Sequence, residues 1–322
     1  MPALTAGLVS TRQVIQRWRE AVESQVAVRG NLYYIAPGTT AIKVARRVVT
    51  PSDNADGLTP FTPLATINEL ITNRIVAAAG DVGVLMKEGQ YLLSANISTT
   101  KNVFTLMGAP GLNRRSVFID GIAGGPALLL RGDHCQLRNL EVGGASAADA
   151  TVTVRGRYFQ AINVHFTAKV VGTARPLAGL RIEVDLLDHP GFSNILGCLF
   201  SYLATGILVG APNPSGGGDF NTLTEVRVED CVFRRNTTRD IGQQALSGID
   251  GWLIRGCAFP DLGNVDFITL NNALNGGEVI NHITDCDFGH NAITATQIVL
   301  TNTTTAFKFT GNRDKAGFIT GV

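Results

Sequence analysis

The stretch Asp230-Cys231-Val232-Phe233 decides the fold, because close variants of it recur through the second half of the chain. In each copy a turn-forming Asn, Gly or Asp precedes a small or aliphatic residue, a variable residue and, in most copies, Phe. Successive copies begin 24 residues (Asn139 to Asn163) to 34 residues (Asn163 to Gly197) apart. This pattern predicts a repeat protein whose connecting loops differ in size. The copies are Asn139–Val142, Asn163–Phe166, Gly197–Phe200, Asp230–Phe233, Gly256–Phe259 and Asp285–Phe288.

A second set of short segments keeps step with the first. These segments are rich in β-branched and aliphatic residues, and most of them alternate, which is typical of strands and not of helices. Two strand types per unit, separated by turns, predict the coils of a parallel β-helix. The segments are Leu128–Leu130, Val152–Val154, Leu180–Ile182, Ile207–Val209, Ile268–Leu270 and Ile298–Leu300.

The stacking of coils explains why the same residue types return at the same position. Equivalent strands of successive coils lie about 4.8 Å apart, so an inward residue meets its counterpart above and below. The Asn, Gly or Asp that opens each copy is expected in a left-handed or bridge conformation, which these residues tolerate best. The predicted internal ladder comprises Phe166, Phe200, Phe233, Phe259 and Phe288, with Cys198, Cys231, Cys257 and Cys286 beside it.

Upstream segments carry a resemblance to a known group. Gly80–Tyr91, Phe104–Gly111 and Val117–Gly121 resemble the opening coils of right-handed parallel β-helix proteins of the pectate-lyase-like superfamily, and Asp53–Ile67 resembles the segment that leads into them. The resemblance covers roughly residues 31–319. It implies an all-β, right-handed, single-stranded β-helix, most like bacteriophage tailspike and virion proteins. The superfamily includes lyases, hydrolases, esterases and non-enzymatic virion proteins, so the resemblance specifies the fold and not the chemistry.

Three segments are expected: residues 1–30 for helical attachment or oligomerisation, 31–80 for a lead-in strand and a capping helix, and 81–322 for the β-helix. Residues 10–27 have apolar side chains near one helical face. That face either packs on the chain's own solenoid or attaches to another molecule through Trp18, Ile15 and Val22.

A capping-box pattern, Thr66-Ile67-Asn68-Glu69, predicts a short helix that covers the first coil. The coils are expected from Val82 onward.

Composition bounds the function. The formal net charge of +1 over 322 residues disfavours a nucleic-acid partner. The chain shows no secretory leader and no stretch apolar enough for membrane insertion, so assembly in a host cytoplasm is expected. The five cysteines favour small buried residues over disulfides or zinc, and neither a metal nor another cofactor is predicted.

The outward columns beside the Phe ladder carry the candidate chemistry. Ionisable residues occupy adjacent coils there at Glu141 with His165 and at Glu229 with Arg255, and cross-strand ion pairs explain both. Another carboxylate pair, Glu183 and Asp185, is expected on an outward strand face, as a weak catalytic candidate or as a solvated surface. A Ser/His/Asp triad stays open, although the chain has no Gly-x-Ser-x-Gly motif.

Three functions are compatible with these patterns. The favoured hypothesis is a non-enzymatic structural component of a bacteriophage virion, in a tail spike, fibre, baseplate or capsid decoration, forming a homotrimer and contacting other virion proteins. The alternative is a tailspike polysaccharide depolymerase, a hydrolase or lyase that acts on host surface polysaccharide. A third is a glycan-binding module, for which Trp252 and Tyr202 are the candidate exposed aromatics.

Overall fold

A computed structural model describes residues 10–38, 41–45, 47–76, 79–168, 175–183, 191–210, 222–244, 248–260, 266–271, 280–289, 297–301 and 307–319. Within these residues, three long parallel sheets run along a right-handed β-helix, and each coil contributes strands to them in turn. The predicted fold class is thereby confirmed. Because neighbouring strands lie about 4.8 Å apart, the nine spacings of a ten-stranded sheet give a rod about 43 Å long.

The ten-stranded sheet begins with the lead-in strand. Leu32–Ile35 pairs in parallel with Val82–Leu85, so the stack starts one rung earlier than Val82. The remaining strands of this sheet are Thr105–Gly108, Gln136–Arg138, Gln160–Ile162, Asn194–Leu196, Arg227–Glu229, Leu253–Arg255, Asn281–Thr284 and Phe307–Thr310.

The two other long sheets complete the coils. The six-stranded sheet consists of Gly89–Leu92, Val117–Asp120, Glu141–Gly144, His165–Ala168, Leu199–Ser201 and Val232–Arg234. The eight-stranded sheet consists of Ile97–Thr99, Leu128–Leu130, Ala150–Val154, Ala178–Glu183, Thr205–Gly210, Arg239–Gln243, Asp266–Asn271 and Ile298–Thr301. Three small pairs lie outside them: Ile42–Val44 with Arg47–Val49, Thr222–Thr224 with Gly248–Asp250, and Arg313–Asp314 with Gly317–Phe318.

An aromatic column runs through the interior. Phe166 pairs with Phe200, and Phe200 pairs with Phe233, in the register of the six-stranded sheet. Ring centroids of successive residues from Phe166 to Phe288 lie 4.8–5.0 Å apart, and the ring planes tilt by 5–8°. The spacing matches the rise between coils, so the rings stack because the register places them there.

The residue that opens each repeated phrase turns the chain. Asn139, Asp230 and Asp285 have φ of 49°, 54° and 56°, and Gly256 has φ of 62°. A Cβ atom on Gly256 would lie 2.5 Å from Asp230 Oδ1, so this position also lacks room for a side chain. The predicted left-handed turn is confirmed, and it aims the next residue into the core.

The cysteine column lies beside the aromatic one. Cys231 Sγ lies 3.4 Å from the carbonyl oxygen of Ile195 on the preceding coil, and Cys198 and Cys257 repeat this contact. All five cysteines are buried and free. At the last coil Asn312 takes the equivalent place. Its Oδ1 accepts from Cys286 N–H at 2.9 Å and its Nδ2 donates to the Ile283 carbonyl at 2.8 Å.

The N-terminal helix, Thr11–Glu23, packs on the outer face of the ten-stranded sheet. Ser10 and Gln13 form a capping box at its start. Val22 is fully buried, Trp18 meets the Tyr34 ring edge-on with centroids 5.9 Å apart, and Ile15 stays partly exposed. The helix therefore packs on its own solenoid, and attachment to a second molecule through these residues stays a prediction.

The capping segment covers the interior at the first coil. A short helix, Ile67–Glu69, continues into a π-helical turn, Leu70–Arg74, and Thr66 Oγ1 accepts from Glu69 N–H at 3.1 Å. Ile67 and Leu70 are buried in the main core. A Cβ atom at Gly83 would lie 2.4 Å from Leu70, so the glycine makes room for this plug.

Candidate functional site

The candidate site lies on the outward face of the six-stranded sheet. Glu141 and His165 each follow a turn and an inward residue, so both begin their strands pointing outward. They are direct neighbours in the parallel register. His165 Nδ1 lies 2.8 Å from Glu141 Oε2, which confirms the ion-pair or hydrogen-bond contact expected between these coils.

The other imidazole nitrogen reaches a third coil. His165 Nε2 lies 2.6 Å from Ser201 Oγ. A carboxylate only accepts hydrogen bonds, so Nδ1 carries the proton that points to Glu141. In the neutral ring Nε2 is then an acceptor, and the Ser201 hydroxyl donates to it. Glu141, His165 and Ser201 thus form a continuous hydrogen-bonded relay.

The relay is largely shielded from water and borders a cleft. His165 is 7% exposed and Ser201 is 3% exposed. Both line a cleft of about 380 Å³. Hydrogen bonds between ionisable groups strengthen in such a low-dielectric environment. The cleft is further lined by Arg115, Phe118, Thr167, Ala168, Leu199, Tyr202, Arg234 and Arg235.

Cationic side chains dominate the rim. Arg234 and Arg235 are exposed at the end of one coil, and Arg115 is exposed on the opposite side. Arg235 lies over the Tyr202 ring, 5.2 Å from its centroid, and donates a hydrogen bond to the Tyr202 hydroxyl. The contact arises because Tyr202 and Arg235 follow the paired residues Ser201 and Arg234, so the two side chains stack.

A half-buried arginine, Arg114, fixes the Arg115 side of the cleft. Arg114 begins a short 3₁₀ turn, Arg114–Ser116, and its Nη1 donates to Asn163 Oδ1 at 3.0 Å and to the Gly197 carbonyl at 2.6 Å. Burial lowers the pKa of the Arg114 guanidinium. Two turns of the solenoid are thereby tied to the segment that carries Arg115.

The carboxylates proposed from sequence lie elsewhere. Glu183 is 3% exposed on the eight-stranded sheet, where it forms ion pairs with Arg155 and Arg181. Arg181 Nε lies 3.0 Å from Glu183 Oε1 as an ion pair, without hydrogen-bond geometry. Asp185 lies outside the described residues. The catalytic candidacy of this pair stays a prediction, and Glu183 does not border the cleft.

The second ion pair from the sequence is present. Arg255 contacts Glu229 across neighbouring strands of the ten-stranded sheet. Glu229 is mostly buried, whereas Arg255 is half exposed. The pair therefore fits the cross-strand interpretation.

Of the two aromatic residues expected at the surface, Tyr202 is partly exposed in the cleft, whereas Trp252 is buried. Trp252 is 1% exposed and belongs to the core, so its proposed place on the surface is wrong. It precedes the strand Leu253–Arg255 in the same inward column as Phe159. Tyr158 is instead 38% exposed and stacks between His134 and Phe192, with centroids 4.4 and 5.1 Å away. The faces of Tyr158 are covered by its neighbours, which leaves its edge to solvent.

The acidic lead-in segment shows turn chemistry. Asp53 Oδ1 accepts from the backbone N–H groups of Ala65 and Thr66, and Asp56 Oδ1 accepts from Leu58 N–H. Across the described ranges, no group of three or more His, Cys, Asp or Glu side chains is placed to hold a metal ion. No helix in that part of the chain has both the length and the apolar character to cross a bilayer.

Solved structures resemble this chain in fold, whereas sequence comparisons give no match. No family model matches the chain, and no curated protein matches its sequence. Among solved structures, the pectin methylesterase from Aspergillus niger aligns at TM-score 0.40 and 9% identity over 79% of this chain and 83% of that one. A Geobacillus virus E2 protein, ORF18, aligns at 0.34 and 14% over 77% of this chain and 56% of that one.

A GH136 lacto-N-biosidase from Eubacterium ramulus aligns at TM-score 0.35 and 11% identity over 93% of this chain and 70% of that one. Identities and TM-scores this low say nothing about activity or substrate.

Proposed function

We propose that the chain is a structural β-helix of a bacteriophage virion, and that the cleft around His165 is its contact site for an acidic glycan on the host surface. The virion role is supported by the resemblance of the chain to phage tailspike β-helices and by a continuously stacked core. Exposed side chains held on such a rod keep fixed spacings, which suits recognition of a repeating polymer.

The glycan assignment is carried by the charge of the cleft. Three arginines, Arg115, Arg234 and Arg235, line it, and among its described lining residues Glu141 is the single carboxylate. That carboxylate is already engaged by His165. Guanidinium groups bind carboxylates through paired N–H donors. A polyuronate chain matches this combination of groups.

Binding to a polyuronate, with neutral dextran as the reference polymer, tests the contact site. Replacing Arg234 by Gln should weaken polyuronate binding about tenfold, since one charge-assisted hydrogen bond contributes about 1.5 kcal/mol. Arg17→Gln, which removes an exposed arginine from the N-terminal helix, is the matched control and should leave binding unchanged. Equal binding of the two polymers, or equal loss in both variants, would refute the assignment.

The virion role needs a separate measurement. Purified phage particles should contain the chain, and electron microscopy of particles decorated with an antibody against it should place it on the tail or the capsid. Light scattering of the isolated chain tests the proposed homotrimer. Absence of the chain from purified particles would overturn the virion role without bearing on the cleft.

A further inference from the structure

We propose that Glu141, His165 and Ser201 form a serine hydrolase relay that removes O-acyl groups from the glycan in the cleft. The identity of the glycan rests on the proposed function, whereas the relay rests on its own geometry. Ser201 is the nucleophile, His165 is the general base, and Glu141 is a positioning residue. Water is the second substrate.

The hydrogen bonds have the order that ester hydrolysis requires. Ser201 Oγ lies 2.6 Å from His165 Nε2, and His165 Nδ1 lies 2.8 Å from Glu141 Oε2. A serine hydroxyl is a weak nucleophile until a base at hydrogen-bond distance takes its proton. The carboxylate fixes the ring tautomer so that the nitrogen facing the serine is the unprotonated one.

The surroundings suit the charge that develops during acyl transfer. Attack on an ester carbonyl leaves a negative oxygen, which hydrogen-bond donors must stabilise. The guanidinium groups of Arg115, Arg234 and Arg235 line the same cleft as the Ser201 hydroxyl. They provide such donors, and they also hold an anionic glycan so that its acyl substituents face the serine.

The reaction has two balanced steps. In the first, Ser201 Oγ bonds to the acyl carbon while its proton passes to His165 Nε2. The bond from the acyl carbon to the sugar oxygen breaks, and His165 returns the proton to that oxygen. In the second, His165 takes a proton from water, whose oxygen attacks the acyl-serine. The carboxylic acid leaves, and Ser201 regains its proton.

Covalent labelling tests the nucleophile directly. A fluorophosphonate probe reacts with activated serines, so the wild-type chain should acquire one adduct, which peptide mass spectrometry should place on Ser201. Ser201→Ala should abolish labelling. Ser116→Ala is the matched control, because the Ser116 hydroxyl only donates to the Asn113 carbonyl, and it should label like the wild type.

Turnover measures what His165 and Glu141 each contribute. Hydrolysis of p-nitrophenyl acetate and release of acetate from an O-acetylated polyuronate are the two readouts. His165→Gln should lower both on the order of 10³-fold or more, and Glu141→Gln by up to about 10⁴-fold, because its amide favours the wrong imidazole tautomer.

The outcomes distinguish this relay from the binding site itself. Ser201→Ala should still bind polyuronate, because the arginines that hold the polymer are unchanged in this variant. Absence of an adduct on Ser201 in the wild-type chain refutes the relay whether or not the glycan binds. If Ser201 is labelled and p-nitrophenyl acetate is hydrolysed, but polyuronate binding does not depend on the arginines, the glycan contact is refuted. The relay would then act on an ester other than this glycan.

Discussion

Replacing Phe233 by Ala should cost more stability than truncating any exposed ring. Phe233 is fully buried, and its ring stacks on Phe200 and Phe259 with centroids 4.9 and 5.0 Å away. A Cβ atom at Gly206 would lie 2.7 Å from the Phe233 ring, so the ring also packs directly against backbone. Backbone and fixed register prevent the walls from closing over the vacated volume.

The magnitude follows from these contacts. Truncation of a buried Phe to Ala costs about 3–5 kcal/mol, and the intact stack on both faces places Phe233 near the upper end of that range. Phe233→Leu keeps most of the apolar volume and removes two ring pairs, each contributing about 0.5–1.5 kcal/mol. We therefore expect a loss of about 1–3 kcal/mol for Leu and about 4–5 kcal/mol for Ala.

Urea unfolding at 25 °C, followed by both circular dichroism and intrinsic fluorescence, measures these losses. Two probes are needed because a solenoid can unfold in more than one step. Phe318→Ala is the control, since Phe318 is 79% exposed and its truncation should change the free energy of unfolding by no more than about 0.5 kcal/mol. If Phe233→Ala shifts the midpoint no further than Phe318→Ala, the stacked register is refuted.

Three further predictions concern ionisable groups. Burial raises the pKa of Cys135 to about 12, and all five thiols are buried, so Ellman's reagent should titrate them only after unfolding. The pKa of Asp133 is lowered, because hydrogen bonds and charge from Arg157 outweigh the opposing effect of burial. The stabilisation that the ionised Asp133 carboxylate gives the folded state is therefore fully present above its ordinary pKa of 3.8, and it is lost as the pH falls through the lower pKa of the folded state. In that acid range the urea midpoint of Asp133→Asn should depend less on pH than the midpoint of the wild type. Glu183→Gln should lower the urea midpoint, because two arginines lose their shared carboxylate, and should leave ester turnover unchanged; loss of turnover in a folded variant would contradict the placement of the site.

The repeated phrase was sufficient to predict the register of the core. A turn residue with positive φ, an inward small residue and an inward Phe recur with the period of the coil. Aligning the repeated phrases therefore predicts the positions of all three. The contact of Glu141 with His165 followed from the same alignment, because residues at equivalent positions become direct neighbours. The strand Leu32–Ile35 was harder to place, since a long excursion separates it from Val82, its partner in the ladder.

Ser201 escaped prediction for a geometric reason. The sequence analysis used the columns one position after and two positions before the small inward residue. Ser201 instead lies one position beyond the Phe, in register with Thr167 and Arg234. Ser201 contacts His165 as a diagonal neighbour, two positions along the strand from Leu199, the direct partner of His165. An alignment of equivalent positions identifies only direct neighbours. Reading the column after the Phe would have shown a serine and an arginine beside the Glu141 and His165 pair. The burial of Trp252 was missed similarly, because its inward column begins just before a strand.

The path of the relay depends on an apolar neighbour. Glu141, His165 and Leu199 occupy one outward column, so about 4.8 Å separates the backbone of each from the next. On one side the Glu141 carboxylate accepts a hydrogen bond from the imidazole Nδ1. On the other side Leu199 offers Nε2 no polar atom, and the next outward group on that strand is the hydroxyl of Ser201. Leu199 therefore directs the ring toward the serine, and the cleft opens where the relay ends because Ser201 and Arg234 lie at the ends of their strands.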